Sequence, residues 1–364
     1  MIYHGDALKY IYETPEILKA ILNDHREILE ICARMMTGKM PDEILLTGSG
    51  SSYNAAVGAA VFAKKLLGIR VSPVYPVTLI EDINILRDRT LVLGISQQGT
   101  STAVINALDT VRDRRIATLA VTGEHDSEII KHGDAHLYVE CGYEDAGATT
   151  KGYTVTLMTL ILFFIMLAEN VGKITSCQTE EYMKRLNAVT GNMAAVLEEC
   201  RGWCEKMAVS LKSSKDMMVI SSSDQKAALL ECCLKFSETC RFPVRGYEAE
   251  EFMHGIYNAV TDDTDFLYLF PAGGYERNRM AKLLKYYDRQ GKHQYGVNLP
   301  QEMADMDTVG RFSDCTFVND PDFSALEYML PLQLLFVLTS RERQINLNLP
   351  KDPEFHKYMG SKLE

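Results

Sequence analysis

Short apolar runs alternate along this chain with longer stretches of helical periodicity. Glu43-Ile44-Leu45-Leu46-Thr47 reads as a buried strand, and Ser51 to Leu67 as the helix that follows it. Val71 to Val77, Arg89 to Ser96, Ile116 to Val121 and His136 to Glu140 read as further strands, with a helix from Ser101 to Val111 among them. A long helical stretch from Thr179 to Leu211 leads into a second series. There Met217 to Ser221 is a strand, Gln225 to Thr239 a helix, and Asp265 to Phe270, His293 to Val297 and Thr316 to Val318 are strands again. Leu326 to Leu338 is an apolar helix. Short apolar strands separated by helices predict parallel sheets covered on both faces, so the expected class is α/β, with two such units.

Residues 1 to about 42 read as helices. Thr14 is placed as an N-cap with Pro15 at the first helical position. A second helix is expected to end near Met36, before Gly38 and Pro41. The longest apolar run, Val155 to Ala168, is shorter than the about 20 residues of a membrane span. A helix apolar all round is expected in a core or between subunits.

Composition narrows the partners. The 364 residues are 46% hydrophobic, enough for two ordinary domains with real cores. A net charge of −11 and a pI near 5.3 disfavour nucleic acid and anionic membrane, which attract basic surfaces. Nine cysteines without a zinc-type pair of CxxC motifs, and no signal peptide, point to reduced thiols in the cytoplasm and to no metal site.

Candidate chemistry sits where strands end. Gly48-Ser49-Gly50-Ser51-Ser52 and Ser96-Gln97-Gln98-Gly99-Thr100-Ser101-Thr102 each join a strand to a helix. Glycine lets backbone N–H groups approach an anion, the helix dipole favours negative charge, and hydroxyls add donors. Two such loops on neighbouring strands enclose one phosphate; each alone also serves as an ordinary helix cap. Neither is a dinucleotide fingerprint, because Tyr53 stands where the third glycine would be, and no Walker sequence occurs. A third loop, Glu144 to Lys151, offers hydroxyls, a cation and another helix N-terminus. In the second half, Glu231, Lys235 and Glu238 share a helix face at i, i+4 and i+7, and His254 follows sixteen residues later. A carboxylate near a histidine moves protons on a sugar skeleton, and a base of this kind works best with its pKa raised by burial. The same pattern also suits a surface salt-bridge face beside an unremarkable histidine.

Taken in order, the tandem α/β halves, both serine loops, Ala148-Thr149-Thr150-Lys151, the Glu–Lys–Glu face and His254 resemble the double sugar-isomerase (SIS) domain. The resemblance is closest to the fructosamine 6-phosphate deglycases and to the isomerase half of glucosamine-6-phosphate synthase. It implies two three-layer αβα, flavodoxin-like domains, at 43–175 and 176–345, preceded by helices (1–42) and followed by a tail (346–364) that closes the site. It implies phosphate and sugar contacts from Gly50, Ser51, Ser52, Ser96, Gln97, Gln98, Ser101 and Thr149. It makes Glu238 the general base and His254 its partner, supported by Glu231 and Lys235. It implies a homodimer with a shared active site, and neither metal nor redox cofactor.

Gln98 stands where the family usually has serine, and Ser101 where it has threonine. The chain opens Met1-Ile2-Tyr3 and enters the first helices directly, so no glutamine-hydrolysing domain is expected, and Asp352 to Gly360 resembles the deglycase tail. Neither Lys351, His356 nor Lys357 receives a role. The expected activity is deglycation of a phosphorylated Amadori adduct of the fructoselysine 6-phosphate type. A ketose/aldose isomerase or amino-sugar-phosphate deaminase, and a non-catalytic sugar-phosphate sensor, are the alternatives.

Overall fold

Asp6 accepts a hydrogen bond from the Leu8 amide and starts the first helix, α1 (Ala7–Asn23), in the computed structural model. The structure describes residues 3–35, 40–299, 313 and 315–363. The N-cap is therefore Asp6 and not Thr14. Pro15 lies in the helix interior, and the Thr14 hydroxyl bonds back to the Tyr10 carbonyl at 2.9 Å. Interior proline removes a backbone bond. Burial of Tyr10, Ile11, Leu18 and Leu22 on one face holds the helix continuous across it. The second helix, α2, spans Arg26–Met35; the end expected at Met36 and the Gly38 stop lie outside the described residues.

The first sheet is built from β1 (Glu43–Gly48), β2 (Arg70–Val74), β3 (Thr90–Ile95), β4 (Ala117–Thr122) and β5 (Ala135–Tyr138). Its order is β2-β1-β3-β4-β5, all parallel. The crossovers carry α3 (Ser51–Leu67), α4 (Pro76–Glu81) and α5 (Thr102–Asp113). β1 and β3 register residue for residue, Thr47 opposite Gly94. In this order the chain departs in opposite directions from β1 and β3, which opens a crevice beyond their carboxyl ends.

Two helices connect the halves: α6 (Lys151–Asn170) and α7 (Ser176–Leu211). Every residue of α6 from Lys151 to Ala168 is buried. At 20 residues it is longer than its apolar run suggests, and it is long and apolar enough to cross a membrane, yet 94% of that stretch is buried inside the protein. Each large apolar side chain enclosed there contributes on the order of 2 kcal/mol before entropy is counted.

The second sheet contains β6 (Asp216–Ser221), β7 (Val244–Glu248), β8 (Thr264–Leu269) and β9 (Gln294–Val297), in the order β7-β6-β8-β9. Around it lie α8 (Lys226–Cys240), the short α9 (Ala249–Phe252), α10 (Gly274–Asp288), α11 (Ser324–Glu342) and, in the tail, α12 (Phe355–Met359). β7 is an edge strand whose Val-Arg-Gly-Tyr-Glu sequence gives little strand signal. Thr316 to Val318 forms no strand. The Thr316 amide donates to Glu199 and the Val318 amide to Glu327, so these groups bond to carboxylates and not to a sheet. Residues of both sheets, α6, α7 and α11 join one continuous apolar core.

Candidate active site

The crevice between β1 and β3 holds a cavity of about 430 Å³. Gly50 is the N-cap of α3, with φ 57, a conformation that glycine takes without strain. Gly99, at φ 65, turns the second loop; a Cβ there would lie 2.1 Å from Ser127 Oγ, so no larger residue fits.

Of the residues expected to hold phosphate and sugar, Gly50, Ser51, Ser52, Ser96, Gln97, Gln98, Ser101 and Thr149 all line this cavity. Their side chains divide into two groups. Ser52, Ser101 and Thr149 have no hydrogen-bond partner for their hydroxyls among the described residues, and the first turn of α3 presents its backbone N–H groups beside them. The others are engaged. Ser51 donates its hydroxyl to Glu231 at 2.8 Å. Gln97 accepts from Thr156 and donates to Cys141 Sγ, both at 2.9 Å. Ser96 Oγ accepts the Ser101 amide at 3.4 Å, and Gln98 accepts from Lys362 Nζ at 2.9 Å. Ser51 and Gln97 thus line the cavity with side chains that also tie it to Glu231, Thr156 and Cys141.

The third loop is corrected. Glu144 accepts from the Thr150 and Gly152 amides at 2.7 Å and from the Lys151 amide at 3.1 Å, so a carboxylate of this chain already fills that helix N-terminus. The Lys151 ammonium is buried against Glu13 at 2.9 Å.

Glu231, Lys235 and Glu238 do share one face of α8, and that face meets the first half. Glu231 is 1% exposed and accepts from Ser51 and Asn54, both at 2.8 Å. Burial pushes its pKa up, and the Lys235 charge and the two donors pull against it. Lys235 is also buried, 2.9 Å from Glu238 and 4.0 Å from Glu231. Burial opposes its charge, but the two carboxylates prevail and its pKa is raised. Glu238 lines the cavity. It is not enclosed as a buried base would be: its side chain is 40% exposed and ion-paired.

His254 does not join them. It lies exposed in the turn after α9 and lines neither this cavity nor the adjoining one described next. Among the described residues no group of three or more His, Cys, Asp or Glu side chains is disposed to hold a metal ion.

A second cavity of about 770 Å³ adjoins the first, and Glu238, Tyr3, Gly147, His356 and Lys362 line both. The tail makes the partition. The Thr102 hydroxyl donates to the Gly360 carbonyl at 2.9 Å, the Leu363 amide donates to Thr100 at 2.9 Å, and Ser101 and Lys362 form an antiparallel bridge.

Similarity to known proteins follows this geometry. The SIS domain pattern matches residues 40–166. A solved structure from Salmonella typhimurium LT2, described as a candidate sugar binding protein, is 30% identical, covering 91% of this chain and 98% of that one, with a TM-score of 0.81. The chain belongs to the SIS domain family. A solved structure of a phosphosugar isomerase candidate from Clostridium difficile 630 is 28% identical with a TM-score of 0.88, over 99% of both chains. Glutamine–fructose-6-phosphate aminotransferase [isomerizing] from Thermococcus kodakarensis is 26% identical over 341 residues, 92% of this chain and 54% of that protein. The SIS chain thus spans about half the length of the curated relatives it matches.

Three residues of this SIS-domain protein's candidate site escape a reading of the sequence. Lys362 and His356 come from the tail, far along the chain from either serine loop. Lys362 has its pKa lowered: burial has the largest effect, Glu238 opposes it, and Lys235 adds to it. Tyr153, on α6, lines the cavity, and its buried hydroxyl has no partner among the described residues. The one signal available for Tyr153 is its place one turn from Thr149, a weak cue in an apolar helix.

Proposed function

We propose that this SIS-domain enzyme is a 6-phospho-sugar-amine deglycase, acting on an Amadori conjugate of the fructoselysine 6-phosphate type. The observation that carries this reading is the position of Glu238 on the wall common to two cavities. A hexose phosphate alone needs only the first. A conjugate has a phosphosugar half and an amine half joined at C1, and it needs both.

The phosphate is held by the Ser52 and Ser101 hydroxyls and the free amides of α3, with Thr149 on a sugar hydroxyl. Glu238 takes a proton from C1, giving the enaminol, and reprotonation at C2 gives an imine at C1. Water adds to C1, the C1–N bond breaks, and the nitrogen leaves with a proton. Conjugate and water become glucose 6-phosphate and free amine, with no net oxidation. Lys362 supplies the neighbouring proton donor. His254 is outside the cavity of its own chain, so its catalytic role requires a second copy, and a homodimer is part of this proposal. So are the domain division near residue 175 and a reducing, cytoplasmic setting for the nine free thiols.

The test is incubation of the purified protein with fructoselysine 6-phosphate, following glucose 6-phosphate by a coupled assay, with fructose 6-phosphate and glucosamine 6-phosphate in parallel. Release from the conjugate supports the deglycase. Conversion of the simple sugars without such release replaces it with an isomerase or deaminase.

The Lys362 ammonium is present below its pKa and lost as pH rises through it. Its lowered pKa therefore sets an alkaline fall in kcat/KM below lysine's ordinary 10.5. Lys362→Met is expected to remove that limb and reduce kcat about 10²-fold. A pH–rate profile with the alkaline limb intact in the variant denies Lys362 this role.

A further inference from the structure

α6 is buried from Lys151 to Ala168, and Tyr153 carries a hydroxyl into that interior. The residue is 1% exposed, and its hydroxyl has no hydrogen-bond partner among the described residues. A buried hydroxyl without a partner weakens a fold, and a phenylalanine would fill the same space without that penalty. Its presence calls for a state of the protein in which the hydroxyl is bonded.

Packing shows which acceptor is near. A Cβ on Gly58 of α3 would lie 2.9 Å from Leu157 Cδ1 of α6 and 3.0 Å from Ala227 Cβ of α8, so the three helices meet there. Asn54 and Tyr153 lie four residues before Gly58 and Leu157, and Glu231 lies four residues after Ala227. Each is one turn along its own helix on the same face, toward the cavity that Tyr153 lines. Asn54 and Glu231 are bonded at 2.8 Å, so the three residues stand at one level. Tyr153 is therefore beside the Glu231 carboxylate. Burial, and next that charge, raise the pKa of its phenol, which keeps its proton to donate.

Glu231 has two donors at 2.8 Å, the Ser51 hydroxyl and the Asn54 amide, with Lys235 farther away at 4.0 Å. Ser51 also lines the cavity, in the first turn of α3 beside Ser52. Rotation about one side-chain bond would turn its hydroxyl from Glu231 to an anion in the cavity. By itself that move leaves a buried carboxylate short of a donor, a cost comparable to the bond gained.

We propose that Tyr153 is the spare donor of this junction: when the phosphate of the sugar draws the Ser51 hydroxyl, the Tyr153 hydroxyl takes its place on Glu231. This inference rests on the phosphosugar reading of the first cavity and holds for a deglycase and an isomerase alike. The complex then has one unbonded hydroxyl fewer than the free protein. Tyr153 is a positioning residue, in contact with Glu231 and not with the sugar. The exchange keeps α8, with Glu238 on it, bonded to α3 while the ligand is held.

Calorimetric titration of fructose 6-phosphate, with urea unfolding of the free proteins, tests this. Tyr153→Phe keeps the ring and removes only the hydroxyl. It is expected to weaken fructose 6-phosphate binding about tenfold while leaving the unfolding midpoint of the free protein unchanged or higher. Ser51→Ala is expected to weaken binding by a similar factor with little change in midpoint, because Tyr153 then serves Glu231 in the free protein. In the double variant the affinity should match that of either single variant, while the midpoint falls below both. Affinity losses that multiply in the double variant overturn the exchange and make the two hydroxyls independent contacts. A midpoint lowered by Tyr153→Phe alone also overturns it, since the hydroxyl would already be bonded in the free protein. Unchanged affinity in Tyr153→Phe does the same. The two readouts on Tyr153→Phe decide the matter even where Ser51→Ala folds poorly. Failure of the unsubstituted protein to bind fructose 6-phosphate overturns the phosphosugar reading itself, and this inference with it.

Discussion

Glu238→Gln is expected to lower turnover of the conjugate by at least about 10³-fold while leaving affinity for fructose 6-phosphate within about threefold. The amide keeps the shape of the side chain and cannot accept the C1 proton. The phosphate contacts lie on α3 and on the loop before α5, in the other half of the molecule, so they are untouched. Folding should also survive. Glu238 is 40% exposed, and its ion pair with Lys235 is partly screened by water. Lys235 keeps Glu231 at 4.0 Å. Single-turnover kinetics with calorimetric titration of fructose 6-phosphate separates the two effects. Turnover within tenfold of the unsubstituted enzyme would remove Glu238 from the chemistry and leave the wall of the two cavities without a base.

Glu231→Ala has the opposite profile, a loss of stability first. Glu231 holds three groups at once: the Ser51 hydroxyl, the Asn54 amide and the Lys235 ammonium. Removing it leaves Lys235 enclosed beside a single, partly exposed carboxylate, and leaves two donors of α3 without an acceptor. Breaking one partner of a buried charge pair costs about 3–5 kcal/mol. Urea unfolding followed by circular dichroism should show a correspondingly lower midpoint. Activity should fall as well, because Glu231 fixes α8, with Glu238 on it, against the phosphate loops of α3. A midpoint unchanged from the parent would mean that water replaces Glu231 at this junction, and that the two halves are held by their common apolar core alone.

Glu231 also shows where a reading of the sequence reaches its limit. Spacing placed it correctly with Lys235 and Glu238 on one helical face, because i, i+4 and i+7 must share a face whatever the fold. Spacing could not show that the face meets Ser51 and Asn54, about 180 residues earlier. A phosphate ligand and a tie between halves have the same local sequence, and only the structure shows that the Ser51 hydroxyl makes the tie. The same holds for Gln97, whose side chain Thr156 and Cys141 engage from elsewhere in the chain. At Glu144, three backbone amides at the start of α6 converge on a carboxylate of the chain itself. A loop rich in hydroxyls does not reveal that its helix end is already occupied.

The errors in secondary structure have physical causes of the same kind. Thr14-Pro15 carries the local signature of a helix start, yet the buried face of α1 outweighs the bond that proline removes. β7 is a polar strand at a sheet edge, paired in parallel with β6, so its own residues carry little strand signal. Thr316 to Val318 has strand-like residues, but Glu199 and Glu327 accept backbone amides there.

The sequence by itself determined the α/β class, the strands β1, β3 and β4, the extent of α3, the burial of α6 and the two glycine- and serine-rich loops after β1 and β3. Each follows from forces acting over a few residues: apolar periodicity, the free amides of a helix start, and the backbone freedom of glycine. Tertiary structure alone decided which loop hydroxyls stay free for a ligand, and that His254 lies outside the cavity of its own chain. It also decided that Lys362 and His356 close the site, and that Glu238 stands between two cavities. Those outcomes depend on which distant side chains arrive with a matching donor, acceptor or charge, and only the packing of the two halves and the tail brings them within reach.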